Sequence, residues 1–138
     1  MITLKRTDYE KILAHARACL PEEACGLIAG TETDGVKHVE AVYLLENSDH
    51  SSEHFTISPQ DQLKAVKDMR TNGWQPLGNW HSHPESPSRP SEEDKRLFFD
   101  SKARYLILSL QERDAPVLRA FIVENHVDVR EDELRIVD

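Results

Sequence analysis

From Thr7 to Leu20 the apolar residues Ile12, Leu13, Ala16 and Leu20 recur at helical spacing. Thr7, with Glu10 three residues on, has the pattern of a capping box, and Pro21 ends the segment. Ala24 to Gly30 is small and apolar throughout, as in a buried strand. Thr31 to Gly35 predicts a turn, and the alternation from Val36 to Glu46 predicts the second strand of a hairpin. A polar loop follows from Asn47 to Glu53, then a short strand from His54 to Ile57. Ser58 caps a helix with Pro59 at its first position, Leu63, Val66 and Met69 or Arg70 on one face, and Asn72-Gly73 as its stop. Pro76 to His83 predicts a strand, Pro84 to Pro90 a loop, and Ser91 the start of a helix carrying Leu97, Phe98 and Phe99. Ala103 to Leu110 predicts a central strand, with further strands at Val117 to Glu124 and Val127 to Val137. Helices interspersed with strands predict an α/β or α+β layer structure, a mixed sheet flanked by helices.

Composition narrows this pattern. A chain of 138 residues with 38% hydrophobic and 30% charged content is expected to form one globular domain over 1–138. No apolar run approaches the roughly 18 residues of a membrane helix, and the first residues lack the core of a signal peptide, so a cytoplasmic protein is expected. A net charge of -8 argues against nucleic acid as the main partner. Two cysteines, Cys19 and Cys25, are too few for a disulfide scaffold.

The chemistry concentrates between Gly78 and Asp94, in G-N-W-H-S-H-P-E-S-P-S-R-P-S-E-E-D. Side chains at i and i+2 of a strand share a face, so His81 and His83 can address one ion while Ser82 turns away. Asp94, in the first turn of the following helix, can return as a third ligand. Two imidazoles and a carboxylate with an open position make a zinc site of the catalytic type. A zinc ion holding water lowers its pKa to near ~7. The chemistry then needs a general base from elsewhere. Glu22 and Glu23, just before the first buried strand, are the candidates, and spacing alone does not choose between them.

Glu23-x-x-Gly26, His81-Ser82-His83, seven residues that begin with Pro84, then Ser91-x-x-Asp94 resembles the full signature of the JAMM (MPN+) metalloprotease family. P-E-E-A-C-G-L-I-A-G and P-L-G-N-W-H-S-H-P extend the resemblance to compact prokaryotic members. It implies a cytidine-deaminase-like fold and one Zn2+ held by His81, His83 and Asp94. It also implies Glu23 as the base that deprotonates zinc-bound water and then protonates the leaving amine, and Ser91 as the donor to the substrate carbonyl. The implied reaction is cleavage of peptide or isopeptide bonds after the Gly-Gly tail of a ubiquitin-like or β-grasp sulfur-carrier protein.

Simpler readings stand beside these. Ser91 and Asp94 also fit a helix capping box, and the two readings can coexist. Cys25 reads as a small core residue, Trp80 as core packing, and His50 with His54 as part of a polar loop rather than a second metal site. No H-E-x-x-H and no H-x-E with P-C-x-x-C is present, which disfavours a zincin and a nucleobase deaminase. Rival readings are a non-catalytic zinc-binding module for ubiquitin-like tails, a RadC-like protein, and a cell-wall or phage-tail peptidase.

Overall fold

The structure is a computed structural model describing residues 1–138. Its elements run β1 (Ile2–Lys5), α1 (Arg6–Cys19), β2 (Cys25–Thr33), β3 (Val36–Leu45), α2 (Pro59–Thr71), β4 (Gln75–His83), α3 (Glu92–Leu97), β5 (Arg104–Ser109), β6 (Val117–Glu124), β7 (Asp128–Asp132) and β8 (Leu134–Val137). No helix is long and apolar enough to cross a membrane.

All the strands join one mixed sheet of order β7-β6-β5-β4-β2-β3-β1-β8. β7 and β8 end that order on opposite sides, yet only Glu133 separates them in sequence. The sheet therefore rolls until its two edges meet. The seam is held by polar contacts. Ile2 N–H donates to the Glu133 carbonyl at 2.9 Å, the terminal amine lies 3.0 Å from Asp132, and Arg104 Nε reaches the same carboxylate at 2.7 Å.

The roll wraps α1. Ile12 and Ala16 of this helix pack with Ile2, Leu4, Ile28, Val39, Trp80 and Leu106 in the main core. Fully burying an aliphatic side chain of this size stabilises by ~1.5–3 kcal/mol. α2 lies on the outer face, where Ala65 and Met69 meet Ala29. At Gly26 a Cβ would collide with the Tyr43 carbonyl and the Trp80 indole. That carbonyl accepts the Trp80 Nε1–H at 3.1 Å, so glycine is what lets β2 sit between them.

Several expected elements differ, each for a visible reason. β1 was not expected, because its four residues are too short to show a period; Ile2 and Leu4 nonetheless point into the core. It runs directly into α1, which has Lys5 at its N-cap and no side-chain cap, so Thr7 lies inside the helix and forms no capping box. α2 does not bury Leu63, which is 56% exposed; the smaller Ala65 meets the sheet instead. His54 to Ile57 is not a strand. The Asn47 side chain binds this segment instead, donating to the His54 carbonyl at 3.0 Å and accepting from Thr56 N at 3.2 Å. α3 stops at Leu97, because Phe98 turns inward to stack on Tyr105 with ring centroids 3.9 Å apart, and Phe99 is left exposed. The expected strand from Val127 to Val137 is two strands that pair with different edges.

Candidate metal centre

β4 presents its side chains alternately. Trp80 enters the core, and Ser82 Oγ accepts the Ala24 N–H at 2.8 Å. His81 and His83 face the other way, both buried. Phe55 stacks on the His81 ring at 4.7 Å between centroids, and Phe98 meets it edge-on at 5.9 Å. After His83 the chain leaves the sheet through a pinned loop. Ser88 Oγ donates to the Ile107 carbonyl at 2.7 Å, Ser109 Oγ to the Ser86 carbonyl at 2.6 Å, and the Arg113 guanidinium to the Pro84 carbonyl. The loop ends at the start of α3, which brings Asp94 back over the histidines.

Three atoms then converge. His81 Nε2 and His83 Nε2 lie 3.0 Å apart, and Asp94 Oδ2 lies 3.1 Å from each. A tetrahedral ion with ligands at about 2.0–2.1 Å sets its corners roughly 3.3 Å apart, so the spacing is that of a metal's donor set. The protonation pattern agrees. His83 Nδ1 donates to the Pro87 carbonyl at 3.0 Å, which in a neutral ring makes Nε2 the acceptor. Burial lowers the pKa of His81, against the pull of Asp94, so that ring is neutral at pH 7. Burial opposes the Asp94 charge, but the histidine contacts and the Ser91 N–H at 2.9 Å outweigh it and hold the carboxyl below the usual carboxylate range. Acceptors crowded together away from water call for a cation.

Glu23 stands beside this set. Cys25 pairs with His81 across β2 and β4, and Ser82 N–H donates to the Ala24 carbonyl at 3.0 Å. Continuing that register sets Glu23 opposite His83, on the same face. Glu23 is 3% exposed, and its Oε1 has no hydrogen-bond partner. Burial, reinforced by the charges of Asp94, Glu93 and Glu53, pushes its pKa up to about 9. A dication on the neighbouring donors acts in the opposite sense. Glu22, the other candidate, turns to the loop and contacts His50 at 3.1 Å. Ser91 and Asp94 form the full capping box: Ser91 Oγ accepts from Asp94 N at 3.0 Å. Accepting leaves the Ser91 hydroxyl proton free to donate.

The remaining candidates do not join the site. Burial pushes the Cys25 thiol up to about 12, which leaves it unreactive. His50 spends its two nitrogens on Glu22 and Glu46, and His54 pairs with Asp49, so no second donor set forms. Sequence reasoning missed Phe55 and Phe98 as the walls around His81, and Arg113 as the clamp on Pro84. Nothing in their local spacing marks them; only the folded contacts do.

Comparison with known proteins fits this geometry. The profile described as prokaryotic homologs of the JAB domain matches residues 6–122. The chain belongs to that family. The JAMM resemblance of the motif is thereby borne out for family and fold. Among JAB-domain relatives, the CysO-cysteine peptidase of Mycobacterium tuberculosis is 28% identical over 127 residues, covering 92% of this chain and 85% of the relative. The desampylase of Haloferax volcanii is 30% identical over 113 residues, covering 78% and 80%. A solution structure of a Desulfitobacterium hafniense protein superposes with a TM-score of 0.91 at 51% identity, covering 100% of this chain and 94% of that one. The named enzymes among these JAB-domain proteins are a peptidase and a desampylase.

Proposed function

We propose that this chain is a zinc metallopeptidase that hydrolyses the peptide or isopeptide bond following the Gly-Gly tail of a small ubiquitin-like or sulfur-carrier protein. The observation that carries this reading is the meeting of three buried acceptors, 3.0–3.1 Å apart, beside the partnerless Oε1 of Glu23. His81 Nε2, His83 Nε2 and Asp94 Oδ2 would hold the ion. When bound, zinc supplies Lewis acidity that acidifies water and polarises a carbonyl. Glu23 Oε1 accepts the proton of the attacking water and passes it to the nitrogen of the departing amine. Ser91 Oγ–H donates to the carbonyl oxygen as it gains charge. Phe55 and Phe98 keep bulk water from His81 and strengthen each of these interactions.

The relatives' names, the CysO-cysteine peptidase and the desampylase, together with this donor set, support this substrate class. Residues 1–138 act as one catalytic domain, in the cytoplasm, where the free Cys19 and Cys25 stay reduced. The test combines metal analysis with turnover of a Gly-Gly-tailed conjugate. Wild type binds one zinc per chain. His81→Ala and Asp94→Ala lose it. Glu23→Gln keeps the metal and loses hydrolysis. Full activity in Glu23→Gln removes the assigned base. A zinc-loaded wild type that binds tails without cutting them is a binding module instead.

A further inference from the structure

Beside the metal centre lies a second feature that the reaction chemistry does not use. Leu27, Phe55, Ile57, Leu97 and Phe98 wall a cavity of about 240 Å³, with Asn79 among its lining residues. That is smaller than the roughly 300–1,000 Å³ of a small-molecule site and suits a single side chain. Asn79 makes no side-chain hydrogen bond within the chain, and its Oδ1 is closed off from solvent without a partner. An amide left without partners in the fold gains one when a ligand supplies a complementary polar group there.

The cavity adjoins the site. Phe55 and Phe98, two of its walls, are the rings packed on His81. Asn79 is two residues before His81 on β4, on the same face, about 7 Å along the strand. Glu23 lies opposite His83, on the other side of His81. The group that protonates the leaving amine and the Asn79 cavity therefore flank the metal centre at opposite ends. The acyl portion of the substrate must run toward Asn79. An extended chain advances about 3.3 Å per residue, so two glycines span from the scissile carbonyl to the cavity mouth.

We propose that this cavity receives an apolar side chain from the residue immediately before the Gly-Gly pair of the substrate tail, with the Asn79 amide hydrogen-bonding that residue's backbone. The inference rests on the proposed peptidase reading for the tail's direction. It adds a specificity site that reads the acyl side of the bond. Apolar walls accept leucine, valine or phenylalanine there, and a carboxylate would be stranded without a counter-charge.

The experiment has two arms. The first titrates product peptides ending X-Gly-Gly, with X as Leu, Ala or Asp, into isotope-labelled, zinc-loaded protein, and follows the Asn79 side-chain amide by NMR. Leu-Gly-Gly is expected to bind at least 10-fold more tightly than Asp-Gly-Gly and to shift that amide. The second arm measures kcat/KM on carriers with the same tails. kcat/KM is expected to fall several-fold for every tail in Asn79→Ala, and the Leu-over-Asp ratio to fall several-fold in Leu97→Ala. Leu97 is 54% exposed, so the second variant keeps its fold even if the first does not. Equal binding of all three peptides, or a preference untouched by Leu97→Ala, overturns the cavity's role. Tail binding with this preference but no cleavage leaves the cavity standing and removes the peptidase reading instead.

Discussion

Glu23→Gln separates the chemistry of the site from its energetics. Glu23 is buried without a partner for Oε1, and its pKa rises from 4.5 to about 9. In the metal-free protein at pH 7 the folded chain must therefore hold a proton that the unfolded chain releases. At 1.36 kcal/mol per unit, the gap between 4.5 and 7 comes to about 3 kcal/mol of destabilisation. Glutamine has the same shape and no charge. Its own buried amide takes back about 1 kcal/mol, which leaves the variant about 2 kcal/mol more stable. For a chain of this size that is about 6 °C in Tm. The sign fixes the pH window. A group whose folded pKa is raised stabilises fully below its unfolded value and loses that contribution as pH climbs to the folded one. The variant therefore melts slightly below wild type near pH 4.5, where little but its amide cost is left, and gains on it steadily up to about pH 9. Zinc favours the carboxylate and narrows the gap. The assay is thermal unfolding of chelator-treated proteins across this range. Parallel curves for the two proteins, with no widening toward alkaline pH, refute the placement of Glu23 in a dry, anionic cleft.

Three further outcomes follow from the same contacts. Ser91→Ala removes a helix cap worth about 1 kcal/mol but also the donor to the carbonyl, so Tm falls by only a few degrees while kcat drops on the order of 100-fold; equal and small losses in both leave Ser91 as a cap alone. Arg113→Ala frees the Pro84 carbonyl and the Glu85 carboxylate 2.7 Å from its guanidinium. The ligand loop loosens, and zinc affinity measured by competition with a chelating dye is expected to fall on the order of 10-fold. Gly26→Ala drives a methyl into the Tyr43 carbonyl and the Trp80 indole. Chemical denaturation is expected to show a loss of about 3 kcal/mol or more.

Much of the candidate site was legible because its candidate ligands are local. His81 and His83 are fixed by strand alternation, and Asp94 by a helix start that the proline-rich loop requires. Glu23 was legible only through the family motif, since its neighbour Glu22 has the same local pattern and the two part company through the fold alone: Glu22 meets His50, and Glu23 is sealed in. The elements that misled are those settled by distant partners. Asn47 captures Thr56 and keeps the segment from His54 out of the sheet. Tyr105 draws Phe98 out of α3. The closing of the sheet at Glu133 depends on Met1, Ile2 and Arg104, none of them near it in sequence. The Asn79 cavity depends likewise on three separate segments meeting over β4.

This centre is proposed to cut after a Gly-Gly tail. The most direct measurement is the intact mass of a β-grasp carrier joined through its terminal glycine to a lysine side chain, before and after incubation with zinc-loaded protein. The account predicts a carrier ending in glycine and a released amine, with neither formed by Glu23→Gln. An intact conjugate after incubation with zinc-loaded wild type, or a cut at any other bond, contradicts it.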